Sequence, residues 1–483
     1  MVIVGIVSAF LALLVLTAFL FRERMPGLLA YFLHSRNLKG FVLAMTLVAT
    51  YGSVSTFVSG PGLAWHYGLS WVVFAAPQIV TGFFVLGILG YKLALISRKI
   101  NAITLIDVIR ARYDSPILCN LIALATLVFF LTMMAGQFIG GAQLLSYATG
   151  CDYAVGLLIF GVVTVFYTAV GGFRAVVLTD TICAVLMLAG MGFLAQTILE
   201  EGGGLTLIGA TLTVVPEAGF RFMSFDSFGT LPIGMLLSAW ILVGFATVAL
   251  PQSAVRCMAF SKVSDLRAAM IIGTVVCGAL MLGMTFIGAL LRAVVPEGAV
   301  FGNNTDALIP YFISNRMDPW IAGLTLTAPL AATMSTVSSL LIAAAGTLIK
   351  DLVDMRDKFN EDNIFYAKLI TFVFGVLSLL LAIDPQDVIA WINLFAFGGL
   401  EIAYLTPLVG GLFWARADAR AATASVLAGF ICYAVCMASS LRPFGSHAIV
   451  PALAVSIVVY VLMGFFAKRR ALPVFFPESR KRF

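Results

Sequence analysis

Charged residues are scarce along this chain. Only 11% of its 483 residues are Asp, Glu, Lys or Arg, whereas 61% are hydrophobic. An ordinary soluble domain has about 25% charged and roughly 45–50% apolar residues, so a soluble globular protein is excluded. At about 20 residues for each helical crossing of a bilayer, the apolar content suffices for at most about fourteen spans. The composition therefore predicts an all-α polytopic membrane protein.

Groups suited to catalysis or tight metal binding are also few. The three histidines, His34, His66 and His447, fall in loops or at span ends, and the seven cysteines form no CxxC or Cys/His ligand pattern. An intramembrane protease or acyltransferase needs a Ser/His pair or paired acids at membrane depth. Asp180 has no partner acid in a GxGD setting. We therefore expect a protein that is not an enzyme.

Apolar runs of spanning length recur through the whole chain and predict about 13 transmembrane helices. They lie near residues 2–21, 39–58, 70–94, 117–147, 153–170, 175–198, 228–250, 268–291, 320–349, 365–383, 388–413, 421–440 and 448–467. No charge precedes the first run and Arg22, Glu23 and Arg24 follow it, the reverse of a secretory signal. It is therefore predicted to be a retained helix that starts outside the cell.

The basic residues support this orientation. If the predicted spans cross the membrane in alternating directions from an external N-terminus, 25 of the 29 lysines and arginines lie in segments on the inside. The exceptions are Arg221, Arg292, Arg316 and Arg442. Cytoplasmic loops concentrate positive charge, so the bias favours an external N-terminus and an internal C-terminus. The net charge of +6 thus reflects topology and does not indicate nucleic-acid binding.

Two acidic residues lie inside predicted spans. Asp180 is near the start of the sixth span and Glu401 near the middle of the eleventh. An ionisable residue at membrane depth costs at least about 2.5–3.5 kcal/mol on insertion scales, which favours a functional role. The alternative for each is a pairing with a cationic or hydroxyl neighbour that only fixes helix packing.

Two spans have sequences that break helices. The second span is unusually rich in hydroxyl groups, and so is unsuited to a lipid-facing surface; these are Thr46, Thr50, Tyr51, Ser53, Ser55, Thr56 and Ser59, followed by Gly60-Pro61-Gly62. The seventh contains Gly244, Ala246 and Thr247 and ends at Pro251-Gln252. Interrupted helices in corresponding places of two halves indicate an inverted-repeat transporter. Ordinary Ser/Thr contacts between helices are the alternative.

The ninth span presents several oxygens at one level. Ser335 and Thr336 are adjacent, and the carbonyl of Ala332 lies one turn back. A monovalent cation needs about five neutral oxygens, and carbonyls freed by a broken second span would supply the rest. A Ser-Thr pair that only holds two helices together is the alternative interpretation.

At these residues the chain resembles the sodium:solute symporter family. The resemblance covers nearly the whole chain in colinear order and is carried by residues 31–36 (YFLHSR), 41–62, 167–175 with Thr179-Asp180, 330–351 and 393–401. The last stretch is similar to the family branch that carries pantothenate. The resemblance implies sodium-coupled import of this anion by alternating access, or of another small monocarboxylate, amino acid or sugar.

The resemblance also implies a fold and a site. The fold would be a leucine-transporter-like five-plus-five inverted repeat, with residues 1–38 before it, repeats at 39–198 and 228–413, an external loop at 199–227, and two helices with a basic tail at 414–483. The implied sodium ligands are the carbonyls of Ala49, Gly52 and Ala332 and the hydroxyls of Ser335 and Thr336, with Asp180 on a sodium release path. The implied substrate residues are Ser53, Ser55, Thr56, Gln137, Thr247 and Glu401. Tyr51 stands where some amino-acid-carrying relatives have an aspartate, which argues against a second cation there.

Overall fold

The fold was analysed in a computed structural model of the chain. It describes residues 1–22, 28–33, 37–214, 222–225, 231–296, 304–352, 364–384, 388–467 and 472–476. Two residues discussed above are not among the described residues: His34, which was expected to lie in a loop, and Arg221, which was expected to lie outside the cell.

Helices make up nearly all of the described chain. In order they are α1 Val2–Leu20, α2 Leu28–Leu33, α3 Gly40–Tyr51, α4 Ser55–Tyr67, α5 Leu69–Lys99, α6 Leu105–Tyr113, α7 Pro116–Thr149, α8 Tyr153–Glu201, α9 Leu205–Thr213, α10 Ile233–Ala249, α11 Pro251–Met258, α12 Val263–Val294, α13 Leu308–Arg316, α14 Pro319–Leu352, α15 Ile364–Leu381, α16 Ile389–Phe413, α17 Ala419–Ala438 and α18 Ile449–Phe466. The only β-type pairing within these residues is a bridge between Leu38 and Phe260. The all-α expectation is confirmed.

Nine of the described helices are long and apolar enough to cross a bilayer, and eleven spans result if each of two bent pairs counts once. The predicted spans at 153–170 and 175–198 form one element, α8, whose backbone breaks at Gly172 with φ +67° and ψ −173°. A Cβ at Gly172 would lie 3.0 Å from the Tyr31 ring, so glycine is required there. The predicted span at 365–383 is the shorter apolar helix α15.

Both helices that were expected to break do so. The axis turns by 66° between α3 and α4, and by 47° between α10 and α11. At the first break, Gly52 has an extended conformation (φ −64°, ψ 119°), and the chain resumes in wide π-type turns over Ser55–Ser59. At the second, Pro251 follows Leu250, which is also extended. Such irregular turns often mark functional sites within helices.

The broken helices lie against a buried scaffold. In its most apolar stretch, α14 has 89% of its residues buried and α16 has 78%, whereas α1 and α18 each have 33%. Helix α14 packs against α8, α7, α1 and α3. It is therefore the central helix of the bundle, and α1 and α18 present their apolar faces to the surroundings.

Candidate functional site

A cavity opens beside the first helix break. Residues of the broken helix that line it include Tyr51, Ser53, Ser55 and Thr56, and α5, α10, α12 and α16 contribute the remaining described walls. None of these lining residues is charged. The cavity offers hydroxyl and amide groups to a ligand within a neutral environment.

Two amide side chains hold the unwound segment in place. The Oε1 atom of Gln137 accepts a hydrogen bond from the backbone N–H of Val54 at 3.0 Å, and its Nε2 atom donates to Oδ1 of Asn393 at 3.3 Å. Asn393 in turn donates to the hydroxyl of Ser55. The chain of contacts satisfies a backbone donor that the break would leave unpaired, and it joins α7 and α16 to the pocket.

Aromatic rings form the apolar part of the cavity wall. Trp71 stacks on Phe74 with ring centroids 4.6 Å apart, and Tyr51 lies 6.4 Å from Phe397. The hydroxyl of Tyr51 donates to the carbonyl of Val243 at 3.1 Å, which ties the first broken helix to the second. The pocket therefore suits a small molecule with both polar groups and a hydrocarbon part.

A cluster of oxygens lies where the first break meets α14. The Oγ1 atom of Thr336 is 2.9 Å from the carbonyl oxygen of Ala332, 3.0 Å from that of Gly52 and 3.3 Å from that of Thr50. Ala49 is fully buried on α3, one turn before Gly52. Neutral oxygens drawn from two helices at one level are the donor set that a sodium ion requires.

Asp180 lies next to this cluster and is fully buried. Its Oδ1 atom accepts from the Ser335 hydroxyl at 2.7 Å, and its Oδ2 atom accepts from Thr46 at 2.6 Å and from Nη2 of Arg256 at 3.1 Å. The sequence predicts that Arg256 lies in an inside loop, but in the structure only 2% of this residue is exposed. Asp180 thus has both the cationic and the hydroxyl partners that a packing role would need, and it contacts one proposed sodium ligand.

The remaining expected residues lie in different places. Gln137 is behind the cavity wall, and the Thr247 hydroxyl donates to the carbonyl of Gly244 without lining the described cavity. Glu401 is fully buried one turn beyond Phe397 on α16, and neither carboxyl oxygen has a hydrogen-bond partner among the described residues. Asn393 was not expected to take part, although an amide inside a predicted span is itself a signal of function.

Ion pairs fasten α6 beneath the end of α14. Nζ of Lys350 lies 2.8 Å from Oδ2 of Asp107, and the hydroxyl of Thr104 donates to Asp351 at 3.0 Å. Burial alone raises the pKa of Asp107, but the Lys350 ammonium and the backbone N–H groups of Ile103 and Thr104 outweigh it and hold that pKa below its usual range. This end of the bundle is therefore closed by charged contacts.

Two broken helices around a neutral pocket, with a cation-type oxygen cluster beside it, define a polytopic membrane transporter. The family model for the sodium:solute symporter family matches residues 31–429, and the chain belongs to that family. It is 41% identical over 467 residues to the sodium/pantothenate symporter of Escherichia coli, covering 95% of each chain. It is 39% identical to the one from Haemophilus influenzae, covering 94% of this chain and 93% of that one.

More distant likenesses agree with the fold. The osmoregulated proline transporter of Bacillus subtilis is 26% identical over 479 residues, covering 97% of this chain and 96% of that one. A Na⁺-coupled sialic acid symporter in a substrate-bound, outward-open state matches with a TM-score of 0.81 at 20% identity, over 97% of this chain and 99% of that chain. The transporter MhsT, in complex with L-phenylalanine, matches with a TM-score of 0.52 at 15% identity, over 88% of this chain and 97% of that chain.

Proposed function

We propose that the protein is a sodium-coupled symporter that imports pantothenate into the bacterial cell. The observation that carries this proposal is the 41% and 39% identity to two sodium/pantothenate symporters over nearly the full chain. The proline transporters are only 24–27% identical to this chain. Pantothenate is therefore favoured over an amino acid, a sugar or another monocarboxylate.

The cavity at the first break suits this molecule. Pantothenate has a carboxylate, an amide and two hydroxyls on a hydrocarbon frame. The start of α4 offers the positive end of a helix dipole to the carboxylate, Ser53, Ser55, Thr56 and Asn393 face the polar groups, and Trp71 with Phe74 packs on the frame. Gln137 acts by holding the unwound backbone. Thr247 and Glu401 would then contribute from outside the described wall.

Sodium would bind at the oxygen cluster, held by the carbonyls of Ala49, Gly52 and Ala332 and the hydroxyls of Ser335 and Thr336. These groups belong to the broken helix and to the central scaffold helix, so a bound ion fixes the two relative to each other. Entry of one sodium ion into a negative interior gains about 2.3 kcal/mol per 100 mV. Symport with one anion is electroneutral, so the chemical gradient of sodium alone drives a 1:1 cycle.

We infer thirteen spans arranged as two five-helix repeats, 39–198 and 228–413, in the inner membrane. The break at Gly172 divides α8 into two crossings, and α15 adds one more. The concentration of lysine and arginine on one side supports an external N-terminus and an internal C-terminus. The end of the bundle at α6 would then face the cytoplasm.

The test is uptake of radiolabelled pantothenate by proteoliposomes that contain the purified protein. We expect accumulation under an inward sodium gradient and none when potassium replaces sodium. An excess of unlabelled proline should not compete. Competition by proline, or uptake that is indifferent to sodium, would contradict the proposal.

A further inference from the structure

A second cavity lies towards the α6 end of the bundle. Its described walls come from α2, α6 and the residues before it, α7, α8, α11, α14 and α16. Its polar lining residues include Gln252, Arg256, Ser339, Thr104 and Thr347. Of the described residues that line it, only Arg256 carries a charge. The neutral substrate pocket and this inner cavity therefore differ in their electrostatic character.

The two cavities lie in line along the same helix faces. On α16, Phe397 lines the substrate pocket and Tyr404 lines the inner cavity, seven residues further on. On α7, Gln137 contacts the unwound segment of the pocket and Phe130, seven residues away, lines the inner cavity. Seven residues span two turns on one face, or about 10 Å. The inner cavity is thus the continuation of the pocket towards the proposed cytoplasmic side.

Arg256 has a donor left for a ligand. Its Nε atom donates to Thr46 at 3.1 Å, its Nη1 atom to the carbonyl of Gln252 at 2.6 Å, and its Nη2 atom to Asp180 at 3.1 Å and Ser339 at 2.7 Å. A guanidinium has five N–H donors, and these contacts with described residues use four. The remaining one is on Nη1.

Gln252 precedes Arg256 by one turn and also lines the inner cavity. It is 3% exposed, its Oε1 atom has no hydrogen-bond partner among the described residues, and its Nε2 atom has only a 3.9 Å contact with the sulfur of Met133. A buried amide without partners costs free energy, and a ligand in the cavity would supply the missing hydrogen bonds. Its polar atoms are available to a molecule in the cavity.

We propose that the inner cavity is a second, transient binding site for the anionic substrate on its way to the cytoplasm, in which Arg256 binds the carboxylate and Gln252 the amide or a hydroxyl. The inference rests on pantothenate being the substrate. A carboxylate bound there accepts from the remaining Nη1 N–H, while Asp180 stays on Nη2. The guanidinium then shares its charge between two carboxylates, so the substrate is held weakly and the site releases it.

The experiment compares membrane vesicles of opposite orientation. Right-side-out vesicles expose the substrate pocket to the medium, and inside-out vesicles expose the inner cavity. The variants are Gln252→Met and Arg256→Lys, with Gln143→Met as a matched control, since Gln143 is a partly buried glutamine on α7 that lines neither cavity. The probes are labelled pantothenate and its alcohol analogue, in which CH₂OH replaces the carboxylate.

We expect Gln252→Met to raise the half-saturating pantothenate concentration in inside-out vesicles on the order of tenfold, equivalent to about 1.4 kcal/mol, and to leave it unchanged in right-side-out vesicles. Arg256→Lys should weaken inside-out transport of pantothenate more than that of the alcohol. Equal values for Gln252→Met and Gln143→Met in inside-out vesicles would overturn the inner site, even if Arg256→Lys fails to fold. If the unmodified protein carries no pantothenate in either orientation, the proposed function is wrong and the inner site is refuted with it.

Discussion

Replacing Thr336 by valine tests the sodium site directly. Valine keeps the shape and β-branching of the side chain but removes the hydroxyl that lies within 3.3 Å of three backbone carbonyls. A hydrogen bond to a charged group contributes about 1.5–3 kcal/mol, and we apply the same range to the contact between the hydroxyl and the sodium ion. The half-saturating sodium concentration should therefore rise roughly 10- to 150-fold.

The matched control is Thr333→Val. Thr333 is equally buried on the same helix, one turn earlier, and its hydroxyl donates only to the Pro329 carbonyl of that helix, at 2.6 Å. The assay is equilibrium binding of radioactive sodium to purified protein without substrate, so that a change in substrate affinity does not enter. Equal sodium affinities for Thr336→Val and Thr333→Val would refute the assignment of the oxygen cluster as the sodium site.

Three further predictions concern the pocket, the packing and the α6 end. Asn393→Leu should raise the half-saturating pantothenate concentration at least about tenfold in uptake assays, and sodium binding without substrate should not change. Gly288→Ala should lower the melting temperature, because its Cβ would lie 2.3 Å from backbone atoms of α4, an overpacking worth about 1–3 kcal/mol; Gly192→Ala, with nothing within 4 Å, should not. Folding lowers the pKa of Asp107, so its pair with Lys350 stabilises the fold above about pH 4 and this contribution is lost on further acidification. The difference in melting temperature between the unmodified protein and Asp107→Asn should shrink below that pH; a constant difference would contradict the ion pair.

The helix breaks could be predicted from the sequence because their signals are local. Hydroxyl-rich segments next to Gly60-Pro61-Gly62, and the Pro251-Gln252 step, weaken a helix wherever they occur. The meeting of Thr336 with Gly52 was also expected, but only through the family resemblance. Nothing in the spacing of the two segments shows that the hydroxyl of one lies 3.0 Å from the carbonyl of the other.

Pairings between distant segments were not predictable. Asp180 and Arg256 are 76 residues apart. From the sequence alone, a basic residue next to the end of a predicted span is assigned to a loop, and only the fold shows that Arg256 is buried. Asn393 escaped notice for a related reason, since its importance comes from contacts with Ser55 and Gln137 on two other helices. Glu401 was identified as unusual, but its depth relative to the pocket depends on the rotation of α16, which periodicity alone does not set.

The hydrogen bonds around Asp180 join both broken helices to two scaffold helices at one point. Thr46 lies on α3, Arg256 on α11, Asp180 on α8 and Ser335 on α14. When the broken helices tilt away from the scaffold, the Asp180 carboxylate must part from the Arg256 guanidinium, which costs free energy because each buried charge then loses its partner. A single carboxylate therefore links the two broken helices to each other as well as to the scaffold, so a movement of one is transmitted to the other through Asp180.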